Sequence, residues 1–155
     1  MNNLKMHKIL FICHGNICRS PMAEFVMKYL VEQAALTNEF KIESAATSTE
    51  EIGNNIHTGA KAKLTEKKIP FTSRHARQIK IDDYEDYDLL IGMDSENIYY
   101  MKKILGEDTE HKMHKLLEYA GSSKDVADPW FTGDFDSTYN DVLLGCKELL
   151  STLTK

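Results

Sequence analysis

Residues 8–21 read KILFICHGNICRSP, and this stretch decides how the chain folds. The apolar run at residues 8–12 predicts a strand that is buried on both faces, as strands of parallel sheets are. The strand leads into Cys13, and Gly15 and Asn16 are residue types that tolerate the left-handed backbone of a tight loop. A loop wrapped in this way aims successive main-chain N–H groups inward, at the N-terminus of the next helix. The stretch therefore predicts a concave site that binds an anion.

Cys13 stands at the base of this loop, where its surroundings favour a reactive sulfur anion. The thiolate is the nucleophilic form of cysteine, and main-chain N–H groups, a helix dipole and the neighbouring Arg19 all stabilise it. Arg19 also offers a planar fork that holds two phosphoryl oxygens at once, which a lysine cannot do. Ser20 is expected to cap the following helix and to donate a hydrogen bond to the Cys13 sulfur, with Pro21 at the first helical position. Together these residue types predict attack on a phosphate ester.

A displacement at phosphorus also needs an acid for the leaving oxygen, and Asp128 is the candidate. It is followed directly by Pro129, Trp130 and Phe131. The proline favours an extended backbone at Asp128, and the two aromatic side chains are placed to line a slot for a ring. General acid catalysis of this kind typically contributes about 10²–10⁴-fold to a rate.

With these motifs the chain resembles the low-molecular-weight protein tyrosine phosphatases over essentially its whole length. That family carries C-x-G-N-x-C-R-S-P near its N-terminus, as residues 13–21 do, and an Asp-Pro-aromatic segment near its C-terminus, as residues 128–130 do. Further matching segments are residues 43–46, 76–78 and 93–97. The resemblance implies that Cys13 forms a phosphocysteine intermediate, that Arg19 binds the phosphoryl group, and that Asp128 protonates the leaving phenol and later activates water. It implies an enzyme that hydrolyses phosphotyrosine and small aryl phosphates.

The resemblance also implies supporting roles around this centre. Asn16 and Ser44 are expected to hydrogen-bond and keep the loop in shape, and Asp94 is expected to position Ser20. The predicted contacts to the phosphate and the substrate come from His14, Gly15, Asn16, Ile17, Cys18, Ser20, Glu50 and Trp130. Cys18 has two interpretations from its own chemistry: a packing thiol, or a redox partner that traps oxidised Cys13 as a reversible disulfide. We favour the second.

Three positions depart from the family pattern. Many members have an aromatic wall where this chain has Glu50, so one face of the substrate slot is expected to be acidic and to disfavour acidic phosphopeptides, subject to screening by salt. Trp130 and Phe131 replace a tyrosine pair that often follows the Asp-Pro, which keeps ring stacking and loses the hydroxyl groups. Arg74 stands where the family commonly has a loop-supporting histidine. His75 comes one place later, and no catalytic role is expected for it.

Composition narrows the class of protein further. With 155 residues, of which 42% are hydrophobic, the chain is expected to form one domain, residues 1–155. A net charge of -5 without a basic stripe argues against nucleic-acid binding, and no stretch is predicted to be a signal peptide or a membrane span. The three cysteines suit a reducing compartment, hence the cytoplasm, and are too few for a four-thiolate metal site. The resemblance implies a monomer without metal or cofactor that acts on tyrosine-phosphorylated proteins and releases inorganic phosphate.

Strands and helices alternate along the chain. The predicted strands are residues 8–13, 41–45, 87–93 and 112–117, and the predicted helices are residues 22–36, 58–68, 95–105 and 135–153. The last helix places Cys146 on its apolar face, in the core. This alternation predicts an α/β fold: a small open parallel sheet of about four strands with helices on both faces, and a site at the carboxyl ends of the strands. By resemblance this is the Rossmann-like or flavodoxin-like phosphatase fold. The acidic residues 82–86 are expected to lie on the solvated surface.

Three other functions compete with phosphotyrosine hydrolysis. A related type that dephosphorylates arginine carries Thr where this chain has Ile17, so Ile17 favours aryl esters. Arsenate reduction on the same fold needs two more cysteines after the third helix, and residues 82–94 contain none. A module that only binds phosphate needs neither a thiol nor an acid, so the combination of Cys13, Arg19 and Asp128 argues against it.

Overall fold

A sheet of four parallel strands forms the centre of the structure, which is a computed structural model that describes residues 6–155. The strands are β1 (His7–Cys13), β2 (Phe40–Ala46), β3 (Leu89–Gly92) and β4 (Met113–Lys115). They lie in the order β2-β1-β3-β4. The helices are α1 (Arg19–Gln33), α2 (Thr58–Glu66), α3 (Asp83–Asp86), α4 (Ser95–Leu105), α5 (Pro129–Thr132) and α6 (Phe135–Leu153). Short 3-10 turns occupy Thr37–Glu39 and Leu116–Ala120.

The central strand β1 is buried on both faces because its side chains alternate between two cores. Ile9 and Phe11 pack on one face with residues from α1, α2 and α6. Leu10 and Ile12 pack on the other face, where Met101 of α4 meets them. The predicted fold class, an open parallel sheet with helices on both faces, is therefore confirmed.

The direction of the chain reverses at β1, and this reversal creates the site. From β1 the chain moves to β2 at one edge and then crosses back to β3 on the opposite side of β1. Ligands of open α/β sheets bind at such a switch point, outside the carboxyl ends of the strands. Cys13 is the last residue of β1, and Asp94 stands two positions after the end of β3. The fold thus brings both residues to one edge.

Helix α1 begins earlier than predicted, at Arg19 instead of residue 22. Cys18 occupies the N-cap position without a capping side-chain bond, so the prediction that Ser20 caps this helix is wrong. Pro21 is likewise the third helical residue. The loop runs directly into the helix, and this places the main-chain N–H of Ser20, the second helical residue, against the Cys13 sulfur.

The acidic segment of residues 82–86 is only partly on the surface, so this expectation is wrong for two of its members. Asp83 and Tyr84 are buried in the short helix α3. The guanidinium of Arg77 donates to both carboxylate oxygens of Asp83, at 3.0 and 3.2 Å. A buried carboxylate is tolerated here because it is paired in this bidentate way.

The C-terminal helix α6 has the predicted bounds and packs along α1. Val142, Cys146 and Leu149 are fully buried, which confirms the prediction that Cys146 belongs to the core. Gly145 lies so close to Leu116 that an added Cβ would stand 2.4 Å from its Cγ atom. Neither α6 nor any other helix within residues 6–155 is long and apolar enough to cross a membrane.

Candidate active site

The Cys13 sulfur lies at the base of the loop that joins β1 to α1 and is surrounded by hydrogen-bond donors. The main-chain N–H groups of Asn16 and Ser20 donate to it, at 3.3 and 3.4 Å. The Ser20 hydroxyl lies 3.0 Å away. Asn16 has a φ of 58°, the left-handed conformation that the sequence predicted for this loop. Such an environment stabilises a thiolate by donating to it from several directions.

The side chain of Asn16 fastens the loop from behind. Its Nδ2 donates to the Ser20 Oγ at 2.8 Å, and its Oδ1 accepts from the Arg74 guanidinium and from the main-chain N–H of Arg77, the latter at 3.4 Å. The predicted hydrogen bond between Asn16 and Ser44 is not among the bonds of the described residues. Ser44 instead donates to Glu24 at 2.6 Å and so connects β2 to α1.

Arg19 is buried and held in place by the protein on one side of its guanidinium. Its Nη1 donates to the Asp94 Oδ2 at 2.7 Å and to the Val126 carbonyl at 2.9 Å. Its Nη2 lies 3.5 Å from the Asp128 Oδ2. Burial lowers the pKa of Arg19, but the charges of Cys13, Asp94 and Asp128 outweigh burial and raise it above its ordinary value. Arg19 is therefore a fixed cation at the cavity.

Asp94 holds Arg19 and caps helix α4, and it does not contact Ser20 as predicted. Its Oδ1 accepts from the main-chain N–H of Asn97 at 2.7 Å, while the Asn97 side chain accepts from the main-chain N–H of Asp94. This capping box orients the carboxylate so that the second oxygen, Oδ2, faces Arg19. Ser20 is positioned by Asn16 instead.

The two carboxylate oxygens of Asp128 have different partners. Its Oδ1 accepts from the main-chain N–H of Trp130 at 3.0 Å and caps the short helix α5, in which Pro129 is the first residue. Its backbone is extended, with φ -81° and ψ 113°, as the following proline predicts. The second oxygen, Oδ2, is the one that lies near Arg19.

A cavity of about 240 Å³ lies over the sulfur. It is lined by Cys13, His14, Gly15, Ile17, Cys18, Arg19, Glu50, Glu51, Asp128, Trp130 and Phe131. The sequence analysis had placed all of these at the site except Glu51, with Phe131 named there as part of the aromatic slot. Asn16 and Ser20, predicted to contact the phosphate, are fully buried behind the loop and do not line the cavity.

The two walls of the cavity differ in character. On one wall, a His14 ring nitrogen lies 2.7 Å from the Glu50 carboxylate. On the other, Trp130 and Phe131 are 60% and 83% exposed. Trp130 rests edge-on against His57, with ring centroids 5.7 Å apart. One wall is therefore polar and acidic, as Glu50 led us to expect, and the other is aromatic.

Cys18 lines the same cavity as Cys13 and is buried. Burial, together with the nearby charges of Cys13 and Asp128, raises the pKa of Cys18 to about 12. Cys18 therefore remains a neutral thiol at physiological pH. Both cysteines are free, as is Cys146.

The sequence analysis missed two contacts of the site, the bond from Arg74 to Asn16 and the bond from Arg19 to Val126, and the first of them had a sequence signal. Arg74 stands where the resemblance placed a loop-supporting residue, and its bond to Asn16 shows that an arginine takes that place. The Val126 carbonyl that binds Arg19 belongs to the main chain, and no side-chain pattern points to it.

A thiol held by main-chain N–H groups, with a guanidinium and a carboxylate across one cavity at the switch point of a parallel sheet, is typical of phosphatases that use a cysteine. The family model described as low molecular weight phosphotyrosine protein phosphatase matches residues 8–155. The chain belongs to this family and is an enzyme of the protein tyrosine phosphatase type.

Known relatives match nearly the full length of the chain. YfkJ from Bacillus subtilis, a low molecular weight protein-tyrosine-phosphatase, is 37% identical over 152 residues, 97% of each chain. The crystal structure of YfkJ superposes with a TM-score of 0.93 at 36% identity, over 98% of this chain and 97% of its own. SP-PTP from Streptococcus pyogenes is 42% identical with a TM-score of 0.87, over 97% of this chain and 95% of its own. The Drosophila arginine phosphatase DARP is 26% identical with a TM-score of 0.87, over 96% of this chain and 98% of its own.

Proposed function

We propose that this enzyme hydrolyses phosphotyrosine through a phosphocysteine intermediate on Cys13. The sulfur attacks phosphorus from the side opposite the phenol oxygen, so a P–S bond forms as the P–O bond breaks. Arg19 binds the equatorial phosphoryl oxygens with the part of its guanidinium that Asp94 and Val126 leave free. Main-chain N–H groups of the loop donate to the same oxygens.

Asp128 acts in both halves of the reaction. In the first half it gives a proton to the leaving phenol oxygen, which then departs as a neutral phenol. In the second half a water molecule attacks the phosphocysteine, Asp128 takes a proton from that water, and Cys13 leaves as a thiolate. The Ser20 hydroxyl, 3.0 Å from the sulfur, stabilises this leaving thiolate. Inorganic phosphate is the product.

One observation carries the proposal. The Cys13 sulfur accepts hydrogen bonds from two main-chain N–H groups and lines the same cavity as Arg19 and Asp128. Its test is hydrolysis of aryl phosphates by the wild type, Cys13→Ser and Asp128→Ala. We expect no turnover by Cys13→Ser, and a loss of about 10²–10⁴-fold by Asp128→Ala on poor leaving groups. Phosphate trapped on another residue would contradict the nucleophile. Equal losses on good and poor leaving groups would contradict the acid.

The acidic wall is proposed to select among phosphotyrosine sites. Glu50 and Glu51 line the cavity beside His14, and no lysine within residues 6–155 lines it. A substrate with acidic residues next to the phosphotyrosine would bring like charges together at this wall, whereas basic neighbours would be attracted. The effect is confined to adjacent positions, because charges are screened over about 8 Å at physiological salt.

Dephosphorylation of arginine is the alternative substrate class, since DARP is named an arginine phosphatase. The branched apolar side chain of Ile17 lines the cavity and offers no hydrogen-bonding group to a guanidinium. Ile17 therefore favours the phenyl ring of phosphotyrosine as the neighbouring group. A matched pair of peptides, one with phosphotyrosine and one with phosphoarginine, separates the two substrate classes, and a higher kcat/KM on phosphoarginine would overturn our assignment.

Cys18 is proposed to protect Cys13 from irreversible oxidation. Peroxide converts the Cys13 thiolate to a sulfenic acid, and the Cys18 thiol then displaces water to form a disulfide. The charge of Cys13 is one cause of the raised pKa of Cys18, and this cause disappears once Cys13 becomes a neutral sulfenic acid. Such a cycle requires thiol reductants, which fits a cytoplasmic monomer acting on tyrosine-phosphorylated proteins. The test is to treat the enzyme with peroxide and then with dithiothreitol. The wild type should recover its activity, and Cys18→Ser should not.

A further inference from the structure

The segment of residues 121–128 carries Asp128 but has almost no regular secondary structure of its own. It follows the 3-10 turn that ends at Ala120 and precedes α5. A segment of this kind depends on specific tethers to hold a catalytic side chain in place. One of these tethers is built around a lysine outside the cavity.

Lys115, the last residue of β4, uses all three of its donors on this tether. Its Nζ donates to the Ser123 carbonyl at 2.6 Å, to the Asp125 Oδ1 at 2.8 Å and to the Ser95 Oγ at 3.2 Å. The same Asp125 oxygen accepts from the main-chain N–H of Ser95 at 3.1 Å and from its hydroxyl at 3.3 Å. We name Ser95, Lys115 and Asp125 the lysine clasp.

The lysine clasp joins three separate parts of the chain. It binds the end of β4, the first residue of α4 and the segment that leads to Asp128. Only 15% of the Lys115 side chain is exposed, although it makes no contact with the cavity. Burial raises the pKa of Asp125, but the hydrogen bonds from Lys115 and Ser95 outweigh burial and lower it. The carboxylate is thus bound in its charged form.

The clasp adjoins both carboxylates that face Arg19. Ser95 directly follows Asp94, which accepts from Arg19, and Asp125 lies three residues before Asp128. Between them, Val126 donates its N–H to the Met93 carbonyl at 2.8 Å and accepts from Arg19 at 2.9 Å. The clasp therefore holds the stretch of chain that leads to Asp128, and the Thr138 hydroxyl, which donates to the Ala127 carbonyl at 3.0 Å, is a second tether of that stretch.

We propose that Lys115 is a positioning residue for the proton-transfer step, and that the lysine clasp fixes Asp128 at the leaving-group oxygen. The proposal rests on the proposed role of Asp128 as the acid. The contacts that hold the Cys13 loop come from the side chains of Asn16, Ser20 and Arg74 and from main-chain N–H groups of residues 47, 48 and 57, and none of these bonds involves a member of the clasp. Loss of the clasp therefore weakens protonation of the leaving group and leaves the nucleophile intact.

Lys115→Met tests the proposal, because it keeps an unbranched side chain as far as Cε and removes the terminal charge and donors. The readout is kcat/KM on p-nitrophenyl phosphate and on phenyl phosphate, whose leaving group needs a proton far more. We expect at least about tenfold greater loss on phenyl phosphate, part of the 10²–10⁴-fold that a general acid contributes. Lys115→Arg should recover part of the loss, because a guanidinium still reaches Asp125. Iodoacetate should alkylate Cys13 at the wild-type rate.

Lys124→Met is the matched control. Lys124 lies in the same segment, its side chain is 69% exposed, and its nearest acidic partner, Asp141, is 3.9 Å away. Lys124→Met should leave kcat/KM on both substrates unchanged. Asp125→Asn provides a second variant if Lys115→Met folds poorly, since the Asp125 side chain is 47% exposed and tolerates substitution more readily.

The failure of this proposal and that of the Asp128 assignment are distinguishable. If Asp128→Ala itself shows no dependence on the leaving group, the role of Asp128 is wrong. If Asp128→Ala shows that dependence but Lys115→Met and Asp125→Asn lower kcat/KM equally on both substrates, the clasp is merely structural and the proposal is overturned. In the Asp128→Ala background, Lys115→Met should cause no further loss on phenyl phosphate, because the group it positions is gone.

Discussion

Replacing Arg74 with methionine should weaken the loop around the nucleophile. Asn16 is fully buried, and within the part of the chain that the structure describes its Oδ1 accepts from two donors: the Arg74 guanidinium and the Arg77 main-chain N–H, the latter at a long 3.4 Å. Arg74→Met leaves that oxygen with the weak bond alone. Asn16 in turn orients the Ser20 hydroxyl against the sulfur. The substitution therefore affects both folding and the reactivity of Cys13.

Two opposing effects set the size of the change. Loss of a hydrogen bond from a charged donor to a buried acceptor costs about 1.5–3 kcal/mol. Burial lowers the pKa of Arg74, while the charges of Glu24 and Cys13 offset part of this decrease, so removing the cation relieves some desolvation. We expect a net decrease in the free energy of unfolding of about 1–2 kcal/mol, or about 2–8 °C in Tm for a chain of this size.

The assay combines urea unfolding with the rate at which iodoacetate alkylates Cys13. Arg74→Met should lower both the unfolding midpoint and the alkylation rate, and Arg74→Lys should recover part of each. Lys80→Met, at an exposed lysine six residues away, is the control and should change neither. A normal unfolding midpoint in Arg74→Met would show that the Asn16 oxygen does not depend on this guanidinium, and would refute the reasoning.

Three further predictions follow from separate contacts. Glu50→Gln should raise kcat/KM on an acidic phosphotyrosine peptide by about 2–5-fold, since an exposed charge pair in water is worth about 1 kcal/mol or less. It should leave p-nitrophenyl phosphate unaffected, and an equal rise on both substrates would contradict an effect on peptide charge. Iodoacetamide at pH 7 should modify Cys13 and spare Cys18, whose pKa is raised to about 12; peptide mass mapping checks this, and labelling of Cys18 first would refute it. Burial raises the pKa of Asp108, but hydrogen bonds from Tyr84, Met113 and Lys112 outweigh it and lower the pKa. The stabilisation by Asp108 is therefore complete above its unfolded pKa of about 4 and is lost as the pH falls through the lower folded value. Asp108→Asn should flatten this acid limb of a Tm-against-pH curve, and an unchanged limb would contradict it.

The fold and the centre of the site could be predicted because their signals are local. An apolar run with both faces buried, a loop rich in tight-turn residues and a helix follow one another within residues 8–21. Parallel strands share one carboxyl edge, so Cys13 and Asp128 could be expected to meet without knowledge of the intervening contacts. The acidic wall at Glu50 was likewise visible as a departure from a familiar pattern.

The errors concern side chains whose partners are distant in sequence. Ser44 was expected to bind Asn16, but Glu24 on the facing helix competes for its hydroxyl and is the partner. Asp83 was expected in solvent, but Arg77 supplies a bidentate partner that makes its burial tolerable. The lysine clasp left no sequence signature, since a lone lysine, a serine and an aspartate occur in most surface loops. Only tertiary structure decides which of several polar groups pairs with which.

Asp94 and Asp128 contact Arg19 at different distances, and this difference explains how the site accommodates a phosphate dianion among carboxylates. Asp94 binds the guanidinium at 2.7 Å and is itself fixed by the capping box of α4, so we expect this contact to persist during the reaction. The contact to Asp128 is 3.5 Å long, which is at the limit of a hydrogen bond and is given up at little cost. We propose that an incoming phosphate takes the place of the Asp128 Oδ2 at the Nη2 of Arg19, while Asp94 keeps its bond to Nη1. On this proposal Asp128 stays where its N-cap bond to Trp130 and the lysine clasp hold it, and its Oδ2 exchanges the weak contact with Arg19 for the leaving oxygen, which couples substrate binding to the action of the acid.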